Sequence, residues 1–269
     1  MGMTVRAIHG DAAHLPDLLD GPVECIVTSP PYNAAMPYAG VSDVYSEREY
    51  RAKAFQWASA MHASLVRGGR LFLNVPVVSE VPNPDGSMSG RRWSPAHVWH
   101  DACVAVGLVF RDQIVWVKPL TRDTAWGSLL GAHGSSPSAP NYRGRHEAIG
   151  VWYRGPTWAR RPTDPDSVPD VDVAAERALA GRGWQDLAQN VWEAQPAARR
   201  GHPAPMPARL VENCVLTATW PTETVCDPFM GSGTVLRVAH GLGRAAVGVD
   251  LSEAYVEGFG ERGLQEVLV

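Results

Sequence analysis

The chain has 269 residues and a hydrophobic fraction of 45%, which is enough to bury the core of one large α/β domain or two small ones. Its formal net charge of −4 excludes a surface that is basic throughout, so any contact with nucleic acid must be local. No run approaches the roughly 20 apolar residues of a membrane helix, and no signal-peptide pattern opens the sequence. We therefore expect a cytoplasmic protein.

The first 153 residues alternate apolar runs with segments of helical spacing. Apolar runs bounded by turn residues predict five strands, at 5–9, 23–28, 70–75, 109–118 and 148–153. Apolar residues three and four apart predict helices at 15–19, 46–66 and 95–106, and Gly68-Gly69 is expected to end the second helix. A high content of Gly, Pro and Ser predicts loops at 33–44, 80–94 and 119–146.

Residues 154–190 change character, with Arg and Pro followed by an acidic run and a short helix, and they are predicted to form an inserted subdomain. Helices are then predicted at 207–217 and 235–240, and strands at 224–226 and 246–249. Strands that alternate with helices predict an α/β fold with a mostly parallel sheet covered on both faces. Ligands bind such sheets beyond the carboxyl ends of the strands.

The four cysteines do not form a metal-binding or disulfide pattern. Cys25, Cys103, Cys214 and Cys226 lie in apolar or mixed runs, none in a Cys-x-x-Cys pair. We expect buried free thiols and no metal site.

A glycine-rich turn lies between the strand at 224–226 and the helix that follows it. It reads Asp227-Pro228-Phe229-Met230-Gly231-Ser232-Gly233-Thr234, and about 20 residues later the next strand ends at Asp250. Glycines let a ligand approach bare backbone, helix-start amides receive a carboxylate, and an acid at the second strand end is placed to bind a ribose diol. The layout predicts a nucleoside site, and a tight turn without a ligand is the alternative.

A second turn, Thr28-Ser29-Pro30-Pro31-Tyr32, follows the strand at 23–28. The prolines end the strand and make the turn rigid. The Ser29 hydroxyl and the Pro30 carbonyl can accept hydrogen bonds from an aromatic amine whose ring stacks on Tyr32. A proline turn beside a core tyrosine is the alternative.

Together the two turns resemble the motifs of the β-class amino DNA methyltransferases, in which the catalytic motif precedes the cofactor motif. Further segments resemble that family in the same order: 9–11, 68–75, 116–119, 146–147, 190–193, 202–207 and 248–252 with Tyr255. The resemblance implies a Rossmann-like, seven-stranded sheet in circularly permuted order. Residues 1–153 are then its catalytic half, 191–269 its cofactor half, and 154–190 the region that recognises the target.

The resemblance implies S-adenosylmethionine as the cofactor and assigns residues to it and to catalysis. The expected catalytic residues are Ser29, Pro30, Pro31 and Tyr32. The expected cofactor-binding residues are Asp11, Thr28, His202, Pro203, Met206, Asp227, Pro228, Phe229, Gly231, Ser232, Gly233, Thr234, Asp250 and Leu251.

The expected reaction is transfer of the methyl group to an exocyclic amine by positioning and electrostatics, without a covalent enzyme intermediate. The base must flip out of the duplex to reach the turn. Carbon-5 methylation is disfavoured because it needs a cysteine nucleophile, usually after proline in that family, and no cysteine here follows proline. Serine before Pro-Pro-Tyr favours N4 of cytosine, with N6 of adenine as the alternative.

The DNA contacts are expected from local arginine clusters in predicted loops and the insertion. The candidates are Arg91, Arg92, Arg143, Arg145, Arg154, Arg160, Arg161, Arg199 and Arg200. Because the recognition regions are short, the target is a few base pairs or a homodimer shares the work. A cognate restriction endonuclease, an RNA or protein substrate, and a non-catalytic binding module stay open at this point.

Overall fold

The computed structural model describes residues 4–119, 145–159, 183–197 and 204–262. Its strands are β1 (Val5–His9), β2 (Val23–Thr28), β3 (Leu65–Pro76), β4 (Ser79–Pro82), β5 (Met88–Trp93), β6 (Leu108–Val117), β7 (His146–Arg154), β8 (Val191–Glu193), β9 (Thr224–Asp227) and β10 (Ala245–Asp250). Its helices are α1 (Leu15–Leu18), α2 (Glu47–Ser64), α3 (Pro95–Ala105), α4 (Trp184–Leu187), α5 (Ala208–Ala218), α6 (Thr234–Gly241) and α7 (Glu253–Arg262), with a 3₁₀ turn at Ala12–His14.

The main sheet is mostly parallel and has the strand order β1-β10-β9-β2-β3-β7-β6-β8. Among its described strands, only β7 runs antiparallel to its neighbours. The strands β9 and β10 therefore lie between β1 and β2, which are close to them in space and distant in sequence. This arrangement confirms the permuted order that the sequence predicted.

The sheet separates two hydrophobic cores. All six residues of β2 are buried, and its alternating side chains divide between the two sides: Cys25 and Val27 join one core and Ile26 the other. The first core contains the apolar faces of α5 and α6, and the second contains those of α2 and α3. All four cysteines are buried and free, as predicted.

All seven predicted strands are present, but the described sheet has eight. The additional strand, β8, pairs in parallel with β6 and has only three residues, which is too short for a periodic pattern. The loop predicted at 80–94 is also wrong: it contains the hairpin β4–β5, whose turn is closed by the Gly86 amide on the Asn83 carbonyl. The residues of the hairpin are mostly polar, so the sequence contains no apolar run that would predict its strands.

The glycine pair Gly68-Gly69 does not end a helix. The helix α2 ends at Ser64, and the pair lies inside β3, where the pairing with β2 shifts its register. Gly68 has a φ of 74°, and a Cβ on Gly69 would lie 2.8 Å from the Val66 carbonyl oxygen. The glycines are therefore required by a bulge that re-aims the strand.

No helix within the described part of the chain is both long and apolar enough to cross a membrane.

Candidate active site

The two predicted turns line one open cavity at the carboxyl ends of β2 and β9. These strands are parallel neighbours, so the turns that follow them emerge side by side. The predicted residues that line the cavity are Asp11, Ser29, Pro30, Pro31, Tyr32, Met206, Asp227, Pro228, Phe229, Ser232, Thr234, Asp250 and Leu251. Thr28, Gly231 and Gly233 belong to the turns without lining the cavity, while His202 and Pro203 lie outside the described residues.

A buried hydrogen bond joins the two turns directly. The Thr28 hydroxyl donates to Oδ1 of Asp227 over 2.6 Å, and both residues are inaccessible or nearly so. The Phe229 amide donates to the same oxygen over 3.1 Å. Burial raises the pKa of Asp227 to about 7, and these two hydrogen bonds oppose that effect.

The glycine turn is shaped by Asp250. One carboxylate oxygen accepts from the Gly231 amide over 2.8 Å and the other from the Ser252 amide over 2.9 Å. Gly233, which caps α6, has a φ of 82°, and a Cβ there would fall 2.3 Å from the Phe259 ring. Burial raises the pKa of Asp250. The sequence predicted Asp250 as a ligand-binding acid and did not predict that it also holds the turn.

Tyr50 of α2 fixes the proline turn through a hydrogen bond to its backbone. Its hydroxyl donates to the Pro31 carbonyl over 2.6 Å and accepts from the Trp99 indole over 3.0 Å. The Trp93 ring packs edge-on against it at 4.9 Å. The sequence placed Tyr50 on the apolar face of a helix, and nothing in the helical spacing distinguishes a tyrosine that merely packs from one whose hydroxyl holds a turn.

A polar cluster lies behind Ser29 and Tyr32. Nδ2 of Asn74 on β3 lies 3.2 Å from the Ser29 hydroxyl, 2.8 Å from the Tyr32 hydroxyl and 2.8 Å from Oε2 of Glu147. The Tyr32 hydroxyl donates to Glu147 over 3.3 Å, and Lys118 forms an ion pair with the other oxygen of Glu147. Burial, and to a lesser extent the negative charge of Glu147, raise the pKa of Tyr32.

The segment 33–45 forms another wall of the cavity, through Tyr38, Val41 and Tyr45. The carboxylate of Asp43 accepts from three backbone amides, those of residues 33, 34 and 36, at 2.8 to 3.3 Å. The sequence predicts a loop at 33–44 and gives it no role at the site. The acid seven to ten residues after those amides was the available signal.

The predicted DNA-binding arginines within the described residues lie on β5 and at the two ends of β7. Arg91 and Arg92 lie on β5, where Arg91 is 3.6 Å from Glu47, and Arg145 is exposed beside the Lys118 carbonyl. Arg154 donates to the carbonyls of Ala63 and Leu65, which ties β7 to the end of α2. The remaining candidates, Arg143, Arg160, Arg161, Arg199 and Arg200, lie outside the described residues, and DNA contact by any member stays a prediction.

A family model described as DNA methylase, for N6 and N4 methyltransferases, matches residues 23–261. The chain belongs to this DNA methylase family. The resemblance seen in the two turns is thereby confirmed. Among curated relatives, this DNA methylase is 26% identical to the type II methyltransferase M.ScaI of Streptomyces caespitosus, over 94% of this chain and 79% of the relative. It is 23% identical to the DNA adenine methyltransferase YhdJ of Escherichia coli, over 93% of this chain and 79% of the relative.

Two solved structures share the fold of this DNA methylase. TTHA0409 of Thermus thermophilus, solved in complex with S-adenosyl-L-methionine, has a TM-score of 0.69 and 24% identity, covering 96% of this chain and 93% of that one. The cytosine-N4-specific PvuII DNA methyltransferase has a TM-score of 0.63 and 16% identity, covering 100% of this chain and 89% of that one. The predicted fold class, a mostly parallel methyltransferase sheet with helices, is confirmed.

The raised pKa of Asp227 predicts a dependence of stability on pH. The folded state binds the Asp227 proton more tightly than the unfolded chain, so this contribution is complete below about pH 4 and is lost as pH rises to about 7. We expect the free energy of unfolding to fall by about 3 kcal/mol between pH 5 and pH 8 from this group. Urea unfolding of wild type and Asp227→Asn, which keeps the accepting oxygen, measures the difference in slope.

Asp43 and Asp250 have pKa values raised by burial as well, so part of the slope will remain in the Asp227→Asn variant. Asp101→Asn, at an exposed helix position, is the matched control and should follow wild type. Parallel slopes for wild type and Asp227→Asn would show that this carboxyl titrates normally.

Tyr50→Phe tests whether the hydroxyl fixes the proline turn. Loss of the hydrogen bond to Pro31 and an unpaired Trp99 indole should destabilise the protein by about 1–3 kcal/mol and lower methyl-transfer turnover about tenfold. Tyr153→Phe on β7 is the control and should be near wild type in both measurements. Full turnover by a destabilised Tyr50→Phe variant would mean that the turn keeps its shape without this bond.

Proposed function

We propose that this chain is a site-specific DNA methyltransferase that transfers a methyl group from S-adenosylmethionine to the N4 amino group of cytosine in DNA. The observation that carries the proposal is the shared cavity, which has the Ser-Pro-Pro-Tyr turn on one wall and the glycine turn on another. The serine before Pro-Pro-Tyr supports cytosine. The adenine N6 alternative is supported by the similarity to YhdJ, and the family itself includes both activities.

The cavity fits the cofactor in its chemistry. Asp250 lies at the end of β10 and supplies carboxylate oxygens for a ribose diol, while Phe229 and Trp57 offer apolar surface for a purine. The glycine turn leads into α6, whose first amides suit a carboxylate. When bound, S-adenosylmethionine supplies a methyl group activated by a positively charged sulfur. Its complex with TTHA0409, which shares the fold, agrees with this proposal.

A second cavity adjoins the first and is the proposed base chamber. Ser29, Tyr32 and Met206 line both cavities, so the proline turn lies between cofactor and base. At the junction of the two cavities the Ser29 hydroxyl, which lines both, and the Pro30 carbonyl, which lines the first, accept hydrogen bonds from the amino group and orient its lone pair. Tyr32 stacks on the ring and offsets part of the energy of flipping, by about 1–3 kcal/mol.

The proposed DNA surface consists of Arg91 and Arg92 on the β4–β5 hairpin and Arg145 at the start of β7, with the segment 154–190 as the part that reads the sequence. Of that segment, 160–182 lies outside the described residues. Similarity to type II methyltransferases supports a role beside a restriction endonuclease, and a homodimer is a further proposal.

Expression in a host that lacks DNA methylation, followed by single-molecule sequencing of the genomic DNA, tests the function. We expect one short sequence motif to carry N4-methylcytosine. N6-methyladenine in a motif would establish the alternative base, and unmodified DNA from cells that contain the folded protein would reject the proposal.

Tyr32→Ala should lower turnover about 100-fold while the affinity for S-adenosylmethionine changes less than about threefold, because the ring contributes stacking to the base. Tyr32→Phe, which keeps the ring, should retain most of the turnover. Single-turnover methyl transfer and titration calorimetry measure the two quantities. Similar turnover by Tyr32→Ala and wild type would remove the stacking role.

Asp250→Ala should weaken the binding of S-adenosylmethionine about 10- to 100-fold, because it removes a charged acceptor for the ribose and also loosens the glycine turn. Asp101→Ala on the exposed face of α3 is the control. The assignment fails if calorimetry gives the same dissociation constant for Asp250→Ala and wild type.

A further inference from the structure

The base chamber has apolar walls and one polar edge. Its apolar surface includes Trp116, Met206 and the prolines Pro196 and Pro205, while its polar side chains are Ser29, Tyr32, Asn74, Lys118 and Glu147. The Trp116 ring is fixed by its indole, which donates to the Ala194 carbonyl over 2.9 Å. A flat heterocycle with polar groups along one side fits such a slot.

The ion pair between Lys118 and Glu147 is the main charged feature of this edge. The Glu147 side chain is 11% exposed and that of Lys118 33% exposed. Removing such charges from water is unfavourable, and apolar side chains of similar size would often stabilise a protein at least as well. A contribution to stability therefore explains this pair poorly, and its position in the chamber indicates a role toward the substrate.

Glu147 fixes the position of the Lys118 ammonium relative to the proline turn. One oxygen of Glu147 pairs with Nζ of Lys118, and the other accepts from Asn74, whose amide nitrogen also lies 3.2 Å from the Ser29 hydroxyl. The Lys118 ammonium also lies 4.7 Å from the centre of the Trp116 ring. The chamber thus places a hydrogen-bond acceptor, Ser29, and a donor with further N–H groups, Lys118, along one side.

This order of groups matches the edge of an amino base. In cytosine and adenine the amino group stands next to a ring nitrogen that accepts a hydrogen bond, N3 or N1 respectively. Thymine and guanine carry an N–H at the equivalent ring position, which would face the ammonium with a second donor.

Building on the proposed function, we propose that Lys118 is a specificity-determining residue that donates a hydrogen bond to the ring nitrogen beside the target amino group. Glu147 is the positioning residue that fixes the ammonium. The pair selects a base whose edge offers amino group and acceptor together, and it rejects thymine and the N1–O6 edge of guanine. Ser29 and Pro30 then hold only the amino group.

The test combines a protein variant with a base analogue. The substrate is a duplex that carries the mapped recognition site with its natural target base, or with the analogue in which the adjacent ring nitrogen is CH: 3-deazacytosine, or 1-deazaadenine if adenine is mapped. Single-turnover kcat/KM is measured for wild type and Lys118→Met on both duplexes. Any difference in intrinsic reactivity between the bases applies to both proteins and cancels in the comparison.

We expect Lys118→Met to lower kcat/KM about 10- to 100-fold on the natural duplex and to leave it unchanged on the analogue, where the contact is already missing. Because Lys118→Met leaves Glu147 without its partner, the double variant Lys118→Met/Glu147→Gln is measured as well and should show the same dependence on the base. Calorimetric binding of S-adenosylmethionine establishes that both variants are folded.

An equal loss on both duplexes, in the single and the double variant, would overturn the assignment and leave the ion pair a structural role. Activity of wild type on the natural duplex distinguishes this result from failure of the proposed function. If wild type is inactive there, the function is contradicted and the role of Lys118 falls with it.

Discussion

The hydrogen bond between the Thr28 hydroxyl and the Asp227 carboxyl is the contact on which the site depends. It joins the ends of two neighbouring parallel strands that are 199 residues apart in the chain. Because it is buried, neither group has water as a substitute partner, and its short length leaves little freedom between the two turns. The proline turn and the glycine turn therefore keep one relative position, which methyl transfer between two bound molecules requires.

Much of the fold followed from local patterns. The strand β2 is buried along its whole length and appears in the sequence as a mostly apolar run that includes one acid, Glu24. The two turns follow strand ends and contain prolines or glycines, which mark such turns in a sequence. What local patterns missed was short or polar: β8 has three residues, and the hairpin β4–β5 has no apolar alternation. The glycines of β3 were misassigned because a bulge and a helix end both favour glycine.

The site was predictable where one turn supplies neighbouring residues and unpredictable where separate strands meet. Ser29 and Tyr32 are evident from their own motif, but the cluster behind them combines Asn74 of β3 with Lys118 and Glu147 from around β6 and β7. The order of residues in the sequence does not show which side chains from different strands will hydrogen-bond to one another. The role of Tyr50 on α2 was unpredictable for the same reason, because its helical spacing is that of any core residue and does not reveal the hydrogen bond to Pro31.

The position of β9 and β10 between β1 and β2 has a consequence for biosynthesis. The first two strands leave the ribosome early, yet their partners β9 and β10 are made only after most of the chain has followed. Until then β1 lacks its β10 neighbour and β2 has one open edge, so contacts of long sequence separation close the sheet last. The nascent chain therefore brings its two turns together only after β9 and β10 have been made, and the open edges of β1 and β2 can pair with other chains until then.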